Sequence, residues 1–346
     1  MPPRLPPRIP LAQTPTPIQE IPRLGRRFSL RLRIKRDDWT GLVPGGNKIR
    51  KLEFLLQEAR QKKADTLITC GGIQSNHARA TAYLAKIHGF SCRLLLRGED
   101  SPPYSGNLLL DYLFDARIQT VTSEEYDRID SLFPEVEEEL KRKGKRPYVI
   151  PEGGSNALGA CGYIRAMLEL RKQMGQANLD RQCLILPVGS GGTYAGLFLA
   201  KKLLRLKTRL VGVNVCDDAA YFQRRISGIL QEAREKFRWK ISFLPEEIEI
   251  LDGYVGRGYD LSRPEELELL LQVSREEGIL LDPTYTGKAF FGMTDQLIKN
   301  KKNFGSEILF LHTGGLFSLF AKSREISDRL AAQTAARPSV PNFRNA

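Results

Sequence analysis

Hydrophobic and polar positions follow two periods along the chain, and each change of period marks a predicted element. Between residues 47 and 62 apolar residues recur every three or four positions, as in an amphipathic helix. Short apolar runs such as TLITC (66–70) and SCRLLL (91–96) have the length of buried strands. Because strands and helices alternate, the pattern predicts parallel sheets, whose neighbouring strands need a crossover connection.

The same criteria locate elements along most of the chain. In the first half the predicted helices are 47–62, 76–88, 106–115 and 124–143, the last with Ser123 as N-cap, and the predicted strands are 66–70, 91–96, 117–122 and 148–150. In the second half the predicted helices are 157–174, 193–204, 218–236, 263–276, 286–300 and one final helix, and the predicted strands are 183–187, 210–215, 248–251 and 307–312. The order predicts an α/β protein of two doubly wound units with mostly parallel sheets and a ligand in the cleft between them.

Composition narrows the class of protein. The chain has 346 residues, 41% of them hydrophobic, which is too apolar for a disordered chain. It contains no apolar run of about 18 residues and does not begin with a secretory signal, so we expect a cytoplasmic protein with no membrane partner. The five cysteines are scattered and the three histidines lack helical ligand spacing, so we expect no metal site.

The net charge of +13 is concentrated near the start of the chain. Residues 1–36 hold nine arginines and lysines against one acidic residue, Glu20. Such a segment could bind nucleic acid. However, apolar residues alternate with Arg31, Arg33 and Lys35, which is the pattern of a strand with one solvated face. We favour the strand and expect no nucleic-acid partner, because aromatic residues do not interleave with the charges.

Two segments combine glycine with reactive side chains at a helix start. In GGNKIRK (45–51) a lysine opens a helix, where the positive end of the helix dipole lowers its pKa and favours the nucleophilic neutral amine. In CGGIQSNHAR (70–79) Ser75, Asn76 and His77 lie at a helix N-terminus, whose free N–H groups attract an anion such as a carboxylate. Capping by Ser75 alone would also explain the second segment.

Further glycine-rich segments follow later strands. VGSGGTYAG (188–196) predicts a phosphate cradle, but it lacks the lysine of a nucleoside-triphosphate loop and the spacing of a dinucleotide fold. The segments GYVGRGYD (253–260), DPTYTGKA (282–289) and LHTGG (311–315) add two phenols, Tyr259 and Tyr285, and the hydroxyl of Thr313.

Six ordered motifs carry a resemblance to a known family. They are GGNKIRKLEFLLQEA, GGIQSNHARATA, PEGGSNALGACGY, GSGGTYAGL, DPTYTGKAFFGM and HTGG, spread between about residues 10 and 325. In these the chain resembles the D-cysteine desulfhydrases and 1-aminocyclopropane-1-carboxylate deaminases, which are fold type II enzymes that use pyridoxal 5′-phosphate. The resemblance implies a large cofactor-binding domain (1–48 and 158–333), a small domain (49–157) and a flexible tail (334–346).

The resemblance also implies roles for individual residues. Lys48, rather than Lys51, would bind the cofactor covalently as a Schiff base and act as the base for the α-proton. Asn76 would bond the phenolic oxygen of the cofactor, and the hydroxyl of Thr313 would face its pyridine nitrogen. The phosphate would be held by Ser190, Gly191, Gly192 and Thr193. Ser75, Asn76, His77 and Thr286 would contact an amino-acid substrate, and Ser75, Tyr259 and Tyr285 would assist catalysis.

Three positions favour one activity over the other. The family's deaminases resemble one another in carrying Glu after the tyrosine of DPxY, Leu in the HxGG motif and Gln after IQSN, whereas this chain has Thr286, Thr313 and His77. We therefore predict a D-cysteine desulfhydrase, which releases pyruvate, hydrogen sulfide and ammonia. The alternatives are the deaminase, a lyase for another β-substituted amino acid such as L-cysteate, and a non-catalytic protein that binds anions or nucleic acid. A homodimer is the ordinary expectation for such an enzyme.

Overall fold

Two sheets, one mostly and one wholly parallel, organise the chain in a computed structural model, which describes residues 3–98, 103–300 and 302–335. The larger sheet has the strand order β1-β2-β10-β7-β8-β9, in which β1 is antiparallel to β2 and the other pairs are parallel. Its strands are β1 (Ile18–Glu20), β2 (Arg31–Arg36), β7 (Cys183–Val188), β8 (Arg209–Asn214), β9 (Glu249–Leu251) and β10 (Glu307–His312).

The smaller sheet is parallel throughout, with the order β5-β4-β3-β6. Its strands are β3 (Thr66–Gly72), β4 (Ser91–Arg97), β5 (Arg117–Val121) and β6 (Pro147–Val149). In both sheets the strand order departs from the chain order. Such departures leave a crevice at the carboxyl ends of the strands.

Helices connect the strands. They are α1 (Pro22–Phe28), α2 (Asn47–Gln61), α3 (Asn76–Ile87), α4 (Gly106–Leu113), α5 (Ser123–Asp127), α6 (Ile129–Arg142), α7 (Ala157–Met174), α8 (Gln176–Asp180), α9 (Gly192–Leu204), α10 (Ala219–Phe237), α11 (Pro264–Glu277), α12 (Thr286–Lys299), α13 (Leu316–Ala321) and α14 (Ser323–Ala335). None of the helices in the described ranges is long and apolar enough to cross a bilayer.

The predicted fold class is confirmed, and two helix assignments were wrong. Thr122, not Ser123, caps α5, because its hydroxyl accepts from the N–H of Glu125 while the Glu125 carboxylate accepts from the N–H of Thr122. The helix predicted over 124–143 is divided into α5 and α6 at Arg128. The final helix is also two helices, α13 and α14.

The division into two domains stays a prediction. The smaller sheet lies within the predicted small domain and the larger sheet within the predicted large domain. However, the predicted boundary at 48/49 lies inside α2. This helix packs along α7, and apolar residues of both helices belong to one buried cluster. The proposed flexible tail falls mostly on residues 336–346, which lie outside the described residues.

Strand β2 is confirmed, but its predicted solvated face was wrong. Lys35 is fully buried, and its Nζ donates to the carbonyl oxygen of Thr16 at 2.7 Å and to the carboxylate of Glu169. Arg33 is also buried and pairs with Glu307 at 2.8 Å. Charged side chains enter an interior only when partners replace water. These two cations of the segment are therefore neutralised within the fold rather than presented to an anionic partner.

Candidate active site

A cavity of about 1080 Å³ lies where the carboxyl ends of the two sheets meet. Its walls come from the turns after β3 and β4 in the smaller sheet and after β7 and β8 in the larger sheet. Of the residues singled out in the sequence, it brings together Lys48, Ser75, Asn76, His77, Ser190, Gly191, Thr193, Tyr259, Tyr285 and Thr313.

Lys48 lies in the first turn of α2 and faces this cavity. Its Nζ donates to the side-chain oxygen of Asn47 at 3.2 Å and lies 5.7 Å from the ring centroid of Tyr285. Desolvation lowers the pKa of the amine to about 8, and the positive charge of Arg79 adds to the effect. The neutral, nucleophilic form of Lys48 is thus far more populated near neutral pH than that of an ordinary lysine, although the ammonium form still predominates at pH 7.

The turn that presents Lys48 packs directly against the turn after β10. The N–H of Asn47 donates to the carbonyl oxygen of Thr313 at 3.0 Å. Gly46 has a φ of 112°, and a Cβ at this position would come within 2.6 Å of the same oxygen. Glycine is therefore required at position 46 by its backbone conformation and by the close approach.

Lys51 occupies a different environment one turn further along α2. Its amine is fully buried and donates to the carbonyl oxygen of Gly153 at 3.0 Å and to Ser155 Oγ at 3.1 Å. Desolvation, followed by the charge of Lys48, holds the pKa of Lys51 well below its usual value. A Cβ on Gly192 would lie 2.9 Å from this amine. Lys51 thus lies directly behind the glycine-rich loop.

The glycine-rich loop forms the end of the cavity at the N-terminus of α9. The hydroxyls of Ser155 and Ser190 are 2.9 Å apart, and Ser155 Oγ accepts from the N–H of Gly192 at 3.2 Å. Gly191 has a φ of 81°, which a side chain would strain. Hydroxyls, a helix N-terminus and the nearby amine of Lys51 together suit a multiply charged anion.

At the N-terminus of α3, Ser75 acts as the N-cap. Its Oγ accepts from the N–H groups of His77 and Ala78, each at 3.2 Å. Asn76 is oriented by Asn107, whose side-chain amide donates to Asn76 Oδ1 at 3.0 Å. This contact fixes the orientation of the Asn76 amide, with its oxygen toward Asn107. The NH₂ group of Asn76 therefore points the other way and can donate to a ligand.

His77 is a neutral imidazole with a defined tautomer. Its Nε2 lies 2.9 Å from Thr69 Oγ1, which donates its own hydrogen to the carbonyl oxygen of Ile150 at 2.8 Å. A hydroxyl has one hydrogen, so the N–H of His77 must be at Nε2, which donates to Thr69 Oγ1, and Nδ1 carries no hydrogen. Burial, then the charges of Lys48 and Lys51, hold the pKa of His77 well below its usual value.

Two phenols face each other beside Lys48. The hydroxyls of Tyr259 and Tyr285 are 2.7 Å apart, and the rings meet edge to face. Burial is the main cause that raises the pKa of each phenol, so both stay protonated at neutral pH. The pair can therefore donate one proton while the second hydroxyl stabilises the oxygen that loses it.

Thr286 is located away from the cavity walls. Its hydroxyl donates to Asp282 Oδ1 at 2.6 Å, and its N–H donates to the same oxygen at 2.8 Å. The side chain is fully buried and does not line the described cavity. Its contacts therefore act on Asp282, at the start of the segment that carries Tyr285.

Several residues of the site were missed in the sequence. Ser155 belongs to the PEGGSN motif, which was noted although none of its residues was singled out. Asn107 and Arg97 lie outside the motifs, and the contacts that give them a place in the site join distant segments of the chain. A repeat of glycine and serine after a strand is the signal that could have identified Ser155.

Comparisons with known proteins agree with this geometry. A family model described as "Pyridoxal-phosphate dependent enzyme" matches residues 9–314. A Thermotoga maritima protein named putative 1-aminocyclopropane-1-carboxylate deaminase is 45% identical over 92% of this chain and 99% of its own. An Arabidopsis thaliana protein named bifunctional D-cysteine desulfhydrase/1-aminocyclopropane-1-carboxylate deaminase, mitochondrial, is 40% identical over 90% of this chain and 79% of its own. The solved structure of an ACC deaminase homologue matches with a TM-score of 0.85 and 37% identity, covering 93% of this chain and 96% of that one.

Proposed function

Since the chain belongs to the family of pyridoxal-phosphate dependent enzymes, we propose that it cleaves D-cysteine to pyruvate, hydrogen sulfide and ammonia by β-elimination. The observation that carries the proposal is the amine of Lys48, whose pKa is lowered to about 8 in a cavity that also contains an anion cradle and a second helix N-terminus. These are the groups needed to hold a phosphorylated aldehyde and an amino acid together.

The residues fit pyridoxal phosphate in size and charge. The cradle between Ser190 and Thr193 would hold the phosphate, with the amine of Lys51 and the hydroxyl of Ser155 behind it. Lys48 would bind the aldehyde carbon, and the free amide of Asn76 would donate to the phenolic oxygen. Thr313 would offer the ring nitrogen a neutral hydroxyl, which favours elimination over transamination because the ring withdraws electrons less strongly.

The substrate carboxylate would bind at the N-terminus of α3. The oxygen of Ser75 accepts from the N–H groups of His77 and Ala78, so its hydroxyl hydrogen is the donor offered to an anion beside the positive end of the helix dipole. His77 contributes no positive charge, because its imidazole is neutral. Recognition of the carboxylate therefore depends on hydrogen bonds and the helix dipole rather than on an ion pair.

Proton movements would be divided between Lys48 and the tyrosine pair. Pyridoxal phosphate bound to the amino nitrogen of a substrate withdraws electrons from Cα and so weakens the Cα–H bond. The neutral amine of Lys48 would take that proton. The hydroxyls of Tyr259 and Tyr285 would then protonate the departing thiolate, as the Cβ–S bond breaks with its electron pair on sulfur. Water completes the reaction by releasing pyruvate and ammonia.

A second candidate is 1-aminocyclopropane-1-carboxylate deaminase. The name of the Thermotoga maritima relative favours it, and the name of the Arabidopsis relative includes both activities. Against it, the positions where the deaminases carry Glu and Leu hold Thr286 and Thr313 here, and Thr286 is bonded to Asp282. We therefore place D-cysteine first.

A substrate panel tests the proposal. Purified holoenzyme would receive both cysteine enantiomers, L-cysteate and the cyclopropane acid, with pyruvate, sulfide, sulfite and 2-oxobutanoate measured separately. We expect kcat/KM to be highest for D-cysteine. Faster formation of 2-oxobutanoate from the cyclopropane acid would overturn the ranking, and fastest release of sulfite would assign the enzyme to L-cysteate. The non-catalytic alternative predicts no visible absorbance after addition of pyridoxal phosphate.

Two further predictions accompany this function. We propose a homodimer as the working form, which light scattering during gel filtration would test against a monomer. We also propose a cytoplasmic location, to be tested by fractionation of the native cell.

A further inference from the structure

Arg97 is a cavity residue to which the proposed reaction assigns no role. It ends β4 and pairs in register with Gly72 of β3, and its carbonyl oxygen accepts from the N–H of Ile73 at 3.1 Å. Its backbone therefore adjoins the turn that leads to Ser75 and Asn76. Its side chain lines the same cavity as Lys48.

Two aromatic rings hold the guanidinium of Arg97. Its central carbon lies 4.8 Å from the ring centroid of Tyr126 and 5.3 Å from that of Tyr259. Tyr126 follows a strand of the smaller sheet, and Tyr259 precedes a strand of the larger sheet. The hydroxyl of Tyr126 donates to Glu152 at 2.7 Å, and the hydroxyl of Tyr259 lies 2.7 Å from that of Tyr285. Stacking limits movement of a guanidinium but leaves its five N–H donors, which lie in the plane, free to bind.

These donors are unused within the described residues. The guanidinium of Arg97 makes no hydrogen bond or ion pair there, whereas the other arginine and lysine side chains on the wall are engaged. Arg225 pairs with Glu152 at 3.5 Å, and Lys322 pairs with Asp260 at 3.6 Å. A stacked guanidinium with free in-plane donors is suited to a planar or tetrahedral oxyanion.

The position of Arg97 indicates which part of a substrate it would meet. It covers the ring of Tyr259, and the hydroxyl of Tyr259 contacts Tyr285, whose ring lies next to the amine of Lys48. In the proposed reaction these tyrosines serve the leaving group. The α-carboxylate is already provided for at the N-terminus of α3.

We propose that Arg97 forms a second anion subsite, which binds an oxyanion carried on the β-substituent of an amino-acid substrate. This rests on the proposed β-elimination and extends it to sulfate esters of serine. Lys48 would take the proton from Cα, and the Cβ–O bond would break with its electron pair leaving on sulfate. Water would then release pyruvate and ammonium, so the products are pyruvate, ammonium and sulfate.

Two substrates that differ in the charge of the leaving group test the subsite. D-Serine O-sulfate carries an oxyanion, and β-chloro-D-alanine carries a neutral chlorine. In holoenzyme with Arg97→Met, we expect kcat/KM for the sulfate ester to fall at least about 10-fold, the loss expected for a charged hydrogen bond. The value for the chloride should stay within about threefold, because no oxyanion is recognised there. Arg97→Lys should be intermediate, since it keeps the charge but loses the planar fork.

Arg93→Met is the matched control. Arg93 lies four residues earlier on β4, outside the cavity lining, and its guanidinium donates to Gln119 at 2.7 Å. This variant should leave the ratio of the two kcat/KM values unchanged. An equal fall for both substrates in Arg97→Met would overturn the subsite, because Arg97 would then act by positioning Tyr259.

Binding of inorganic sulfate supplies a readout that does not depend on turnover. Titration calorimetry on the holoenzyme should show sulfate binding to the wild type and to Arg93→Met, with the affinity lowered at least about 10-fold in Arg97→Met. Equal affinity in all three proteins would overturn the proposal. If Arg97→Met lost sulfate binding but turned over both substrates like the wild type, the site would hold a free anion and the proposed substrate role would be wrong.

Failure of the proposed function would be distinguishable from failure of the subsite. If the wild type released pyruvate from neither amino acid, the β-elimination would be wrong. The sulfate titration would still decide Arg97: loss of binding in Arg97→Met supports an anion subsite, and unchanged binding contradicts it.

Discussion

The side-chain amide of Asn47 donates to the hydroxyl of Thr193 at 2.9 Å and so joins the turn that presents Lys48 to the loop that forms the anion cradle. The oxygen of the same side chain accepts from the amine of Lys48 at 3.2 Å. One buried amide thus sets the position of Lys48, the proposed covalent anchor, relative to the proposed phosphate site.

Asn47→Ala should weaken cofactor binding without unfolding the protein. The change removes two hydrogen bonds and leaves the hydroxyl of Thr193 without this donor, and one neutral buried hydrogen bond contributes about 1 kcal/mol. We expect the dissociation constant for pyridoxal phosphate to rise about 10-fold, as measured by equilibrium dialysis of apoenzyme. Asn178→Ala, at an exposed position on α8, is the control and should bind like the wild type. Unchanged affinity in Asn47→Ala would show that the link to Thr193 does not support the cradle.

Lys48 and Lys51 should differ in the bond they make, although they lie one turn apart. After borohydride reduction, peptide mapping should place the pyridoxyl label on Lys48, because Lys51 is held by Gly153 and Ser155 behind the cradle. Lys48→Ala should abolish the label. Lys51→Met should retain it at saturating cofactor but bind the cofactor about 10-fold less tightly, since one hydrogen bond to the proposed phosphate would be lost. Label found on Lys51 in the wild type would contradict this assignment.

The amine of Lys48 should titrate far below an exposed lysine. Its pKa is lowered to about 8 from 10.5, chiefly by desolvation, so the neutral form grows as pH rises through about 8. In apoenzyme, the rate of acylation of Lys48, followed by mass spectrometry of its peptide, should therefore reach half its maximum near pH 8. Lys62, which is exposed on the turn after α2, serves as the internal reference. A midpoint near that of Lys62 would mean that the surroundings of Lys48 do not favour the neutral amine.

Much of the fold could be predicted because most elements carry a complete local signal. The helix at 157–174 and the strand at 307–312 were predicted with the bounds that the structure has. The cap of α5 was displaced by one residue because Thr122 and Ser123 both offer a hydroxyl, and only the reciprocal contact with Glu125 separates them.

The wrong and missing assignments depend on contacts between distant segments. Lys35 has the pattern of a surface residue, and its carboxylate partner, Glu169, lies 134 positions away in sequence. Asn107 orients Asn76 from 31 positions away, with no motif of its own. Thr286 is a local case: the start of α12 turns its hydroxyl toward Asp282, four residues earlier, and its contact with a substrate stays a prediction. Periodicity reports which face is apolar, and it does not report which buried polar groups meet.

The buried pair of Arg50 and Asp37 should contribute strongly to stability, in a manner that depends on pH. Asp37 is fully buried and accepts from two nitrogens of Arg50, each at 2.8 Å, as well as from Tyr163. Asp37→Asn should lower the free energy of unfolding by about 3 kcal/mol at pH 7, because the buried guanidinium of Arg50 loses one of its two carboxylate partners and keeps Glu169, at 2.9 Å. Urea denaturation measures this change.

The sign of the pH dependence follows from the carboxyl group of Asp37. Burial alone would raise its pKa, but the charge of Arg50 and its hydrogen bonds outweigh burial and hold the pKa below the usual value. A depressed folded-state pKa stabilises the protein above the unfolded pKa of about 4, and the contribution is lost as pH falls through the folded value. The gap between wild type and Asp37→Asn should therefore narrow below about pH 4. Asp115→Asn breaks the exposed pair with Lys86 and should change stability by less than about 1 kcal/mol. An effect of Asp37→Asn as small as that of Asp115→Asn would show that the buried pair is not a stabilising contact.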